Sequence, residues 1–223
     1  MSAAWRHIWG IWRRAAAATW EHLPSLIALN ILWALACLPV LSAGPATAVL
    51  FWVGFRRASG ETPRWSEARA AFRACLVPGL VWGMLLAALA ALARINGLVY
   101  ARLLPKPLHA GIIALWGYVF AFFYLWTPIF FYHAAALGRR WPRAARQAVW
   151  EVLANPIYLA AQLVPTGFAA MAGLVWRTSW ILLLPALLAN WLAYAVLAMP
   201  RPFPGSGPRP MAREGNEAGT DLY

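Results

Sequence analysis

Seven carboxylates and four histidines are the side chains here that could move a proton, and their spacing keeps them apart. The acids are Glu21, Glu61, Glu67, Glu151, Glu214, Glu217 and Asp221, and each falls in a polar segment or at the edge of an apolar run. General acid–base catalysis needs two such groups within hydrogen-bond reach of one substrate, and no close pairing is legible. His7, His22, His109 and His133 lack the short, regular spacing of a metal site. His133 alone stands near a long apolar run and is expected as a packed residue at its end. Cys37 and Cys75 supply neither a disulfide framework nor a metal cluster. No nucleophile elbow and no phosphate-binding loop appears. The expectation is a chain that is not an enzyme, with no catalytic residues, no cofactor and no metal. Carboxylates inside a membrane mark proton relays and ion-coupled transport. With all seven acids placed outside the apolar runs, that class is disfavoured too.

The chemistry left inside the apolar runs is hydrogen bonding by Asn30, Thr47, Gln162, Thr166 and Asn190. In lipid such groups bond neighbouring helices, at about 0.6–2 kcal/mol each. They serve as glue between helices or as the lining of a solute site, and glue is the commoner use.

The elements that must carry these groups follow from composition. Hydrophobic residues make up 62% of the 223 and charged residues 12%, against about 25% charged in an ordinary soluble domain. That excludes a typical soluble enzyme and a disordered chain. Residues 152–176 and 178–200 are each free of charge, and about 20 apolar residues suffice to span a bilayer. The net charge of +12 would suggest nucleic acid on a soluble chain. On this one it reads as arginine held in cytoplasmic loops against anionic headgroups, with no nucleic-acid partner.

Along the chain, residues 3–20 read as a basic amphipathic helix with Trp5, Ile8, Trp9, Trp12 and Ala16 on one face. It either lies in the headgroup plane or packs on the cytoplasmic side of the protein. Residues 23–55 carry no charge. As one helix they would be roughly 50 Å long, so the run must break, and Pro39 with Ser42-Ala43-Gly44-Pro45 marks the place. This predicts a full helix over 22–41, a turn at 42–44 with Gly44 in a conformation closed to branched residues, and a short crossing helix from Pro45 to Arg57. Residues 64–75 form a second amphipathic piece. Spans are expected at about 77–100, 110–138, 155–176 and 179–199, with a third amphipathic segment at 139–153 and a disordered tail at 200–223. Gly79, Gly83, Ala87 and Ala91 recur every fourth residue and are the candidate helix-packing face. Arg139, Arg140, Arg143 and Arg146 form the candidate cytoplasmic basic patch. If the short helix crosses, both termini and the loops 56–76 and 139–151 share one side and hold 15 of the 19 basic residues. The positive-inside rule makes that side the cytoplasm.

Asn30-Ile31-Leu32-Trp33, Leu38-Pro39-Val40 and Gly44-Pro45-Ala46-Thr47-Ala48 together resemble the YesL family of bacterial integral membrane proteins. Arg143-Ala144-Ala145-Arg146 leading to Asn155-Pro156 is similar to that family as well. The resemblance covers about residues 15–200. Ser42-Ala43 departs from the family pattern, and the tail after 200 has no counterpart. Asn30, Trp33, Pro39, Gly44, Pro45, Ala46 and Thr47 are the motif positions, and their implied role is structural. The family has no settled activity and no assigned catalytic residue. Its members are often encoded near genes of carbohydrate uptake and polysaccharide degradation.

The expected architecture is an all-α, polytopic membrane bundle in one domain over 1–199. It has about five long transmembrane helices, one short crossing helix and amphipathic interfacial helices. It would sit in the bacterial cytoplasmic membrane with both termini inside. The expected function is an accessory or regulatory component of carbohydrate uptake, in contact with anionic lipid and a membrane permease. The alternative is a small-solute permease acting alone or as an oligomer.

Overall fold

The computed structural model describes residues 3–39, 42–164 and 184–199. Every regular element among them is helical. They are α1 (Ala3–Glu21), α2 (Leu23–Cys37), α3 (Ala43–Ala58), α4 (Trp65–Ala74), α5 (Leu76–Leu103), α6 (Lys106–Phe131) and α7 (Trp141–Ala154). A further helix, α8, covers 156–164, and α9 is Leu184–Ala198. A π-helical turn, Tyr132–Ala136, extends α6. The rest of the expected span 155–176, Thr166, and the tail 200–223 lie outside the described residues.

The short helix α3 is the centre of the molecule. Ten of its residues from Gly44 to Phe55 are buried, and α9, α5, α4, α2 and the π turn surround it. Its aromatic side reaches the end of α6: Phe51 stacks on Phe131 at 5.6 Å, and Phe55 meets Tyr132 edge-on at 5.2 Å. At 16 residues α3 is roughly 24 Å long, short of a hydrocarbon core of about 30 Å, and its neighbours cover the apolar surface it carries.

The break before α3 falls earlier than Gly44-Pro45. α2 ends at Cys37, not near residue 41. The Pro39 nitrogen has no hydrogen for the Leu35 carbonyl, which takes the Leu38 N–H instead at 3.2 Å. Ser42 then closes the connection, its hydroxyl donating to the Pro39 carbonyl at 2.7 Å. α3 is already helical at Ala43, so Pro45 stands in its first turn, where a missing N–H costs little. Gly44 is therefore not a left-handed turn residue; the positive-φ residues described are Gly60 and Gly138. Its requirement is close approach. A Cβ on Gly44 would lie 2.6 Å from the Gly79 carbonyl carbon, and one on Gly79 would lie 2.6 Å from Pro45 Cα. Here α3 and α5 cross backbone to backbone.

The small-residue stripe on α5 is used only at this end. Gly79 is buried and Gly83 lies beside Gly44, but Ala87 and Ala91 are exposed. Beyond the crossing, α5 and α6 form an apolar hairpin that the rest of the chain does not cover. These two helices are long and apolar enough to cross a membrane, and in the most apolar stretch of each only 11% of residues are buried. Met84 and Leu103 are 71% exposed and Tyr118 76%. The apolar helices α2 and α9 are shorter than that.

α1 packs on α9 through a face one step round from the expected one. Ile8, Ile11 and Ala15 are buried, while Trp9 and Ala16 are exposed; the Trp5 side chain lies outside the described set. Trp12 is shared between the two faces and meets Trp191 of α9 at 6.4 Å. Helical spacing defined a band, and the tryptophans drew the expected centre of that band toward themselves; packing against α9 chose its smaller members.

Gly44→Ala and Gly79→Ala should each destabilise the protein by about 1–3 kcal/mol, the usual cost of overpacking. Gly97→Ala, in open space on the same helix, should be neutral or stabilising by up to about 1 kcal/mol. Thermal unfolding of the three purified variants in detergent checks the order; equal midpoints would remove the crossing as a constraint.

Candidate functional site

The motif positions meet where α2, α3, α5 and α9 converge. Asn30 is fully buried, and its Oδ1 accepts the backbone N–H of Ala186 at 2.8 Å. Asn30 therefore ties α2 to α9 across the fold. Trp33 Nε1 donates to Thr47 Oγ1 at 3.1 Å, and Thr47 donates in turn to the Ala43 carbonyl at 2.8 Å. Gly44, Pro45 and Ala46 are buried at the α5 crossing, whereas Pro39 is exposed in the connection. The other amides also join helices. Gln162 of α8 accepts from Trp12 Nε1 at 3.3 Å, and Asn190 of α9 donates to Thr19 of α1 at 3.3 Å. Asn30, Gln162 and Asn190 thus each link two helices, which is the chemistry of glue.

Two further features were not legible in the sequence. One is a buried hydrogen-bonded couple. His133 in the π turn and Glu151 in α7 are both wholly buried, with Nε2 and Oε1 3.0 Å apart. Gln147 Nε2 adds a contact to the same oxygen at 3.4 Å, and Asn155 Nδ2 holds the Glu151 carbonyl at 3.2 Å. In the sequence Glu151 stands outside the apolar runs. The structure adds that it is buried: α7 folds back on the end of α6, and the stripe Ala144, Ala148, Glu151 and Val152 is its buried face. The signal was that stripe, spaced by four, three and one, with a carboxylate on its apolar side. Among the described residues no group of three or more His, Cys, Asp or Glu side chains could hold a metal ion.

The other feature is a groove of about 440 Å³ between α2, α3 and α4. Leu29, Leu32 and Trp33 form one wall, Val49 and Val53 the floor, and Ala68 and Phe72 the other wall. Arg57, Arg64 and Arg69 are its charged lining residues, with Trp65 beside them. Its size suits a small amphiphile. The sequence signal was Arg57, Arg64 and Arg69 with Trp65 and Phe72, read as part of a cytoplasmic loop over 56–76 and an amphipathic piece over 64–75. At the start of α7, by contrast, Arg140, Arg143 and Arg146 are exposed, and Arg139 just before it is half-buried. They form an open surface opposite the buried stripe.

Glu151→Ala should leave the buried His133 imidazole without this partner, at a cost of about 1–3 kcal/mol. Glu151→Gln keeps an oxygen in place and should cost clearly less. Denaturant or thermal unfolding in detergent separates the two; equal losses would show that the pair carries no specific hydrogen bond.

A family model described as a protein of unknown function, DUF624, matches residues 26–96, from the second turn of α2 into α5. That stretch holds the motif positions, the Gly44–Gly79 crossing and the whole arginine-rimmed groove. Neither the curated proteins nor the solved structures contain a match to the chain. The match falls on the family that includes YesL-like proteins.

Proposed function

We propose that this chain is a multi-pass membrane protein that acts by binding, as an accessory or regulatory component of carbohydrate uptake. The observation that carries the membrane part is the α5–α6 hairpin. Its large apolar side chains point away from the core, whereas the core helix of a soluble protein would be mostly buried. Apolar surface on this scale belongs against lipid or a partner helix. In this reading α2, the apolar segment 155–176 and α9 complete a set of about five spans, with α3 inside the bundle as the short crossing helix. Both termini, α4 and α7 face the cytoplasm. The binding role is supported by amides that are spent on helix–helix bonds, and by the exposed arginines of α7 as a contact for anionic lipid or a permease. The link to sugar uptake rests on the YesL resemblance alone.

A second reading, a small-solute permease, is favoured by one observation. A cavity of about 370 Å³ between α2, α3, α5, α6 and α9 is lined by Trp33, Phe120, Tyr124, Thr47 and Thr127 among others, and the His133–Glu151 couple lies further along α6. Flux of a neutral sugar through proteoliposomes holding this protein alone would establish the permease and displace the accessory role.

Two experiments test the proposal. In a variant with Cys37 replaced by Ser, cysteines at the exposed positions Ser59 and Ser66 should resist a membrane-impermeant maleimide in intact cells, and one at Ala110 should react. Native Cys75 stays silent, because burial shields its thiol and pushes its pKa up to about 11. Labelling at Ser59 from outside would reverse the topology. For the function, Arg143→Gln with Arg146→Gln should leave insertion intact and weaken copurification of a transport partner. If gene deletion changes neither the uptake of any sugar nor the set of copurifying proteins, the accessory role is wrong.

A further inference from the structure

We propose that the groove between α2, α3 and α4 is a binding site for one anionic phospholipid of the bilayer, its phosphate held by Arg57 and Arg64 and an acyl chain lying along α3. Charge complementarity carries the headgroup assignment. Three arginines and no carboxylate line the groove. Among the described residues the arginine–carboxylate pair is Arg56–Glu61, so the groove arginines have no acid to neutralise them. Glu67, the acid on α4, uses its carboxylate on the Arg64 backbone N–H at 3.4 Å. Arg57 carries the need furthest. Its Nη2 donates to Ser25 Oγ at 3.0 Å, while its Nη1 is buried without a hydrogen-bond partner among the described residues. A phosphate oxygen would satisfy that donor with a charge-assisted bond, and a guanidinium suits phosphate in a forked geometry.

Length carries the acyl-chain assignment. Arg57 closes α3 and Arg64 begins α4, so both stand at the same end of the groove. From there the lining of α3 runs back to Ala46, a rise of about 16 Å at 1.5 Å per residue. One leaflet of the hydrocarbon core is about 15 Å deep. A free phosphate would use the arginines and leave this apolar length empty, which is why a lipid and not a soluble anion is the occupant. The positive-inside orientation puts the arginines at the cytoplasmic surface, where anionic lipid is met.

The site rests on the membrane insertion proposed above, and the test separates the two. The full chain is reconstituted in phosphatidylcholine nanodiscs doped with photoactivatable phosphatidylglycerol, the reactive group being in the acyl chain. Crosslinks are mapped by peptide mass spectrometry, with a matched phosphatidylcholine probe in parallel. Crosslinks to 46–53 and 65–72 should exceed those of the matched probe by about tenfold, the effect of one charge-assisted contact. Arg57→Gln with Arg64→Gln should abolish the excess. Ala68→Trp, which fills the groove from α4 and keeps the arginines, should lower crosslinking by both probes while incorporation into nanodiscs is unchanged. Equal crosslinking by the two probes, an excess spread evenly over α5 and α6, or survival of the excess in the double variant would overturn the site. So would full competition by inorganic phosphate, which would make the ligand a soluble anion. A chain that does not enter nanodiscs at all would overturn the membrane reading and the site with it.

Discussion

The fold hangs on the contact of two glycines. α3 is shorter than a hydrocarbon core is thick and too apolar to lie in water, so its neighbours must cover it. α5 can cover it closely only where neither backbone carries a side chain, at Gly44 and Gly79. That approach brings Gly83 and Trp82 alongside the same region, and Trp82 Nε1 then reaches Thr127 Oγ1 of α6 at 3.0 Å. The aromatic layer of Phe51, Phe123, Trp126 and Phe131 fills what remains. Close packing replaces the hydrophobic effect as the source of attraction between helices in lipid, which is why small residues decide the architecture.

Polar groups decide which helices may be neighbours. Asn30 selects α9, Trp33 selects α3 through Thr47, and Gln162 and Asn190 each select α1. A buried amide with the wrong neighbour leaves donors and acceptors unmade, at about 1–3 kcal/mol per group. Apolar helices alone would pack in several registers; these bonds penalise all but one.

Much of this was legible in the residues, because helix-forming runs, prolines and arginine clusters act locally. Pro39 announced the end of α2 within a few residues, and Asn155-Pro156 announced the end of α7. Gly44 was singled out for a turn when its real constraint comes from Gly79, more than thirty residues away; a sequence shows that a side chain is missing but not what occupies its place. The buried face of α1 was misjudged for the same reason. Ile11 and Ala15 look less distinctive than Trp9, and only the shape of α9 favours them. His133 and Glu151 were read separately, one as a packed residue and one as a loop acid. The return of α7 through a π turn that brings them together is a tertiary event. The groove was hidden because each of its arginines already had a sufficient explanation in the positive-inside rule.

The bond from Asn30 to Ala186 closes over a separation of 156 residues. Ribosomes add roughly 5–20 residues per second, so the Asn30 amide waits on the order of 10–30 s for its partner. During that interval the face of α3 that α9 will cover is open, and α1 has nothing to dock on. The newborn chain is thus an unfinished cylinder with its innermost staves in place and its closing stave still inside the ribosome. Whatever receives it, lipid or insertion machinery, must tolerate an exposed amide and a bare apolar seam for that long.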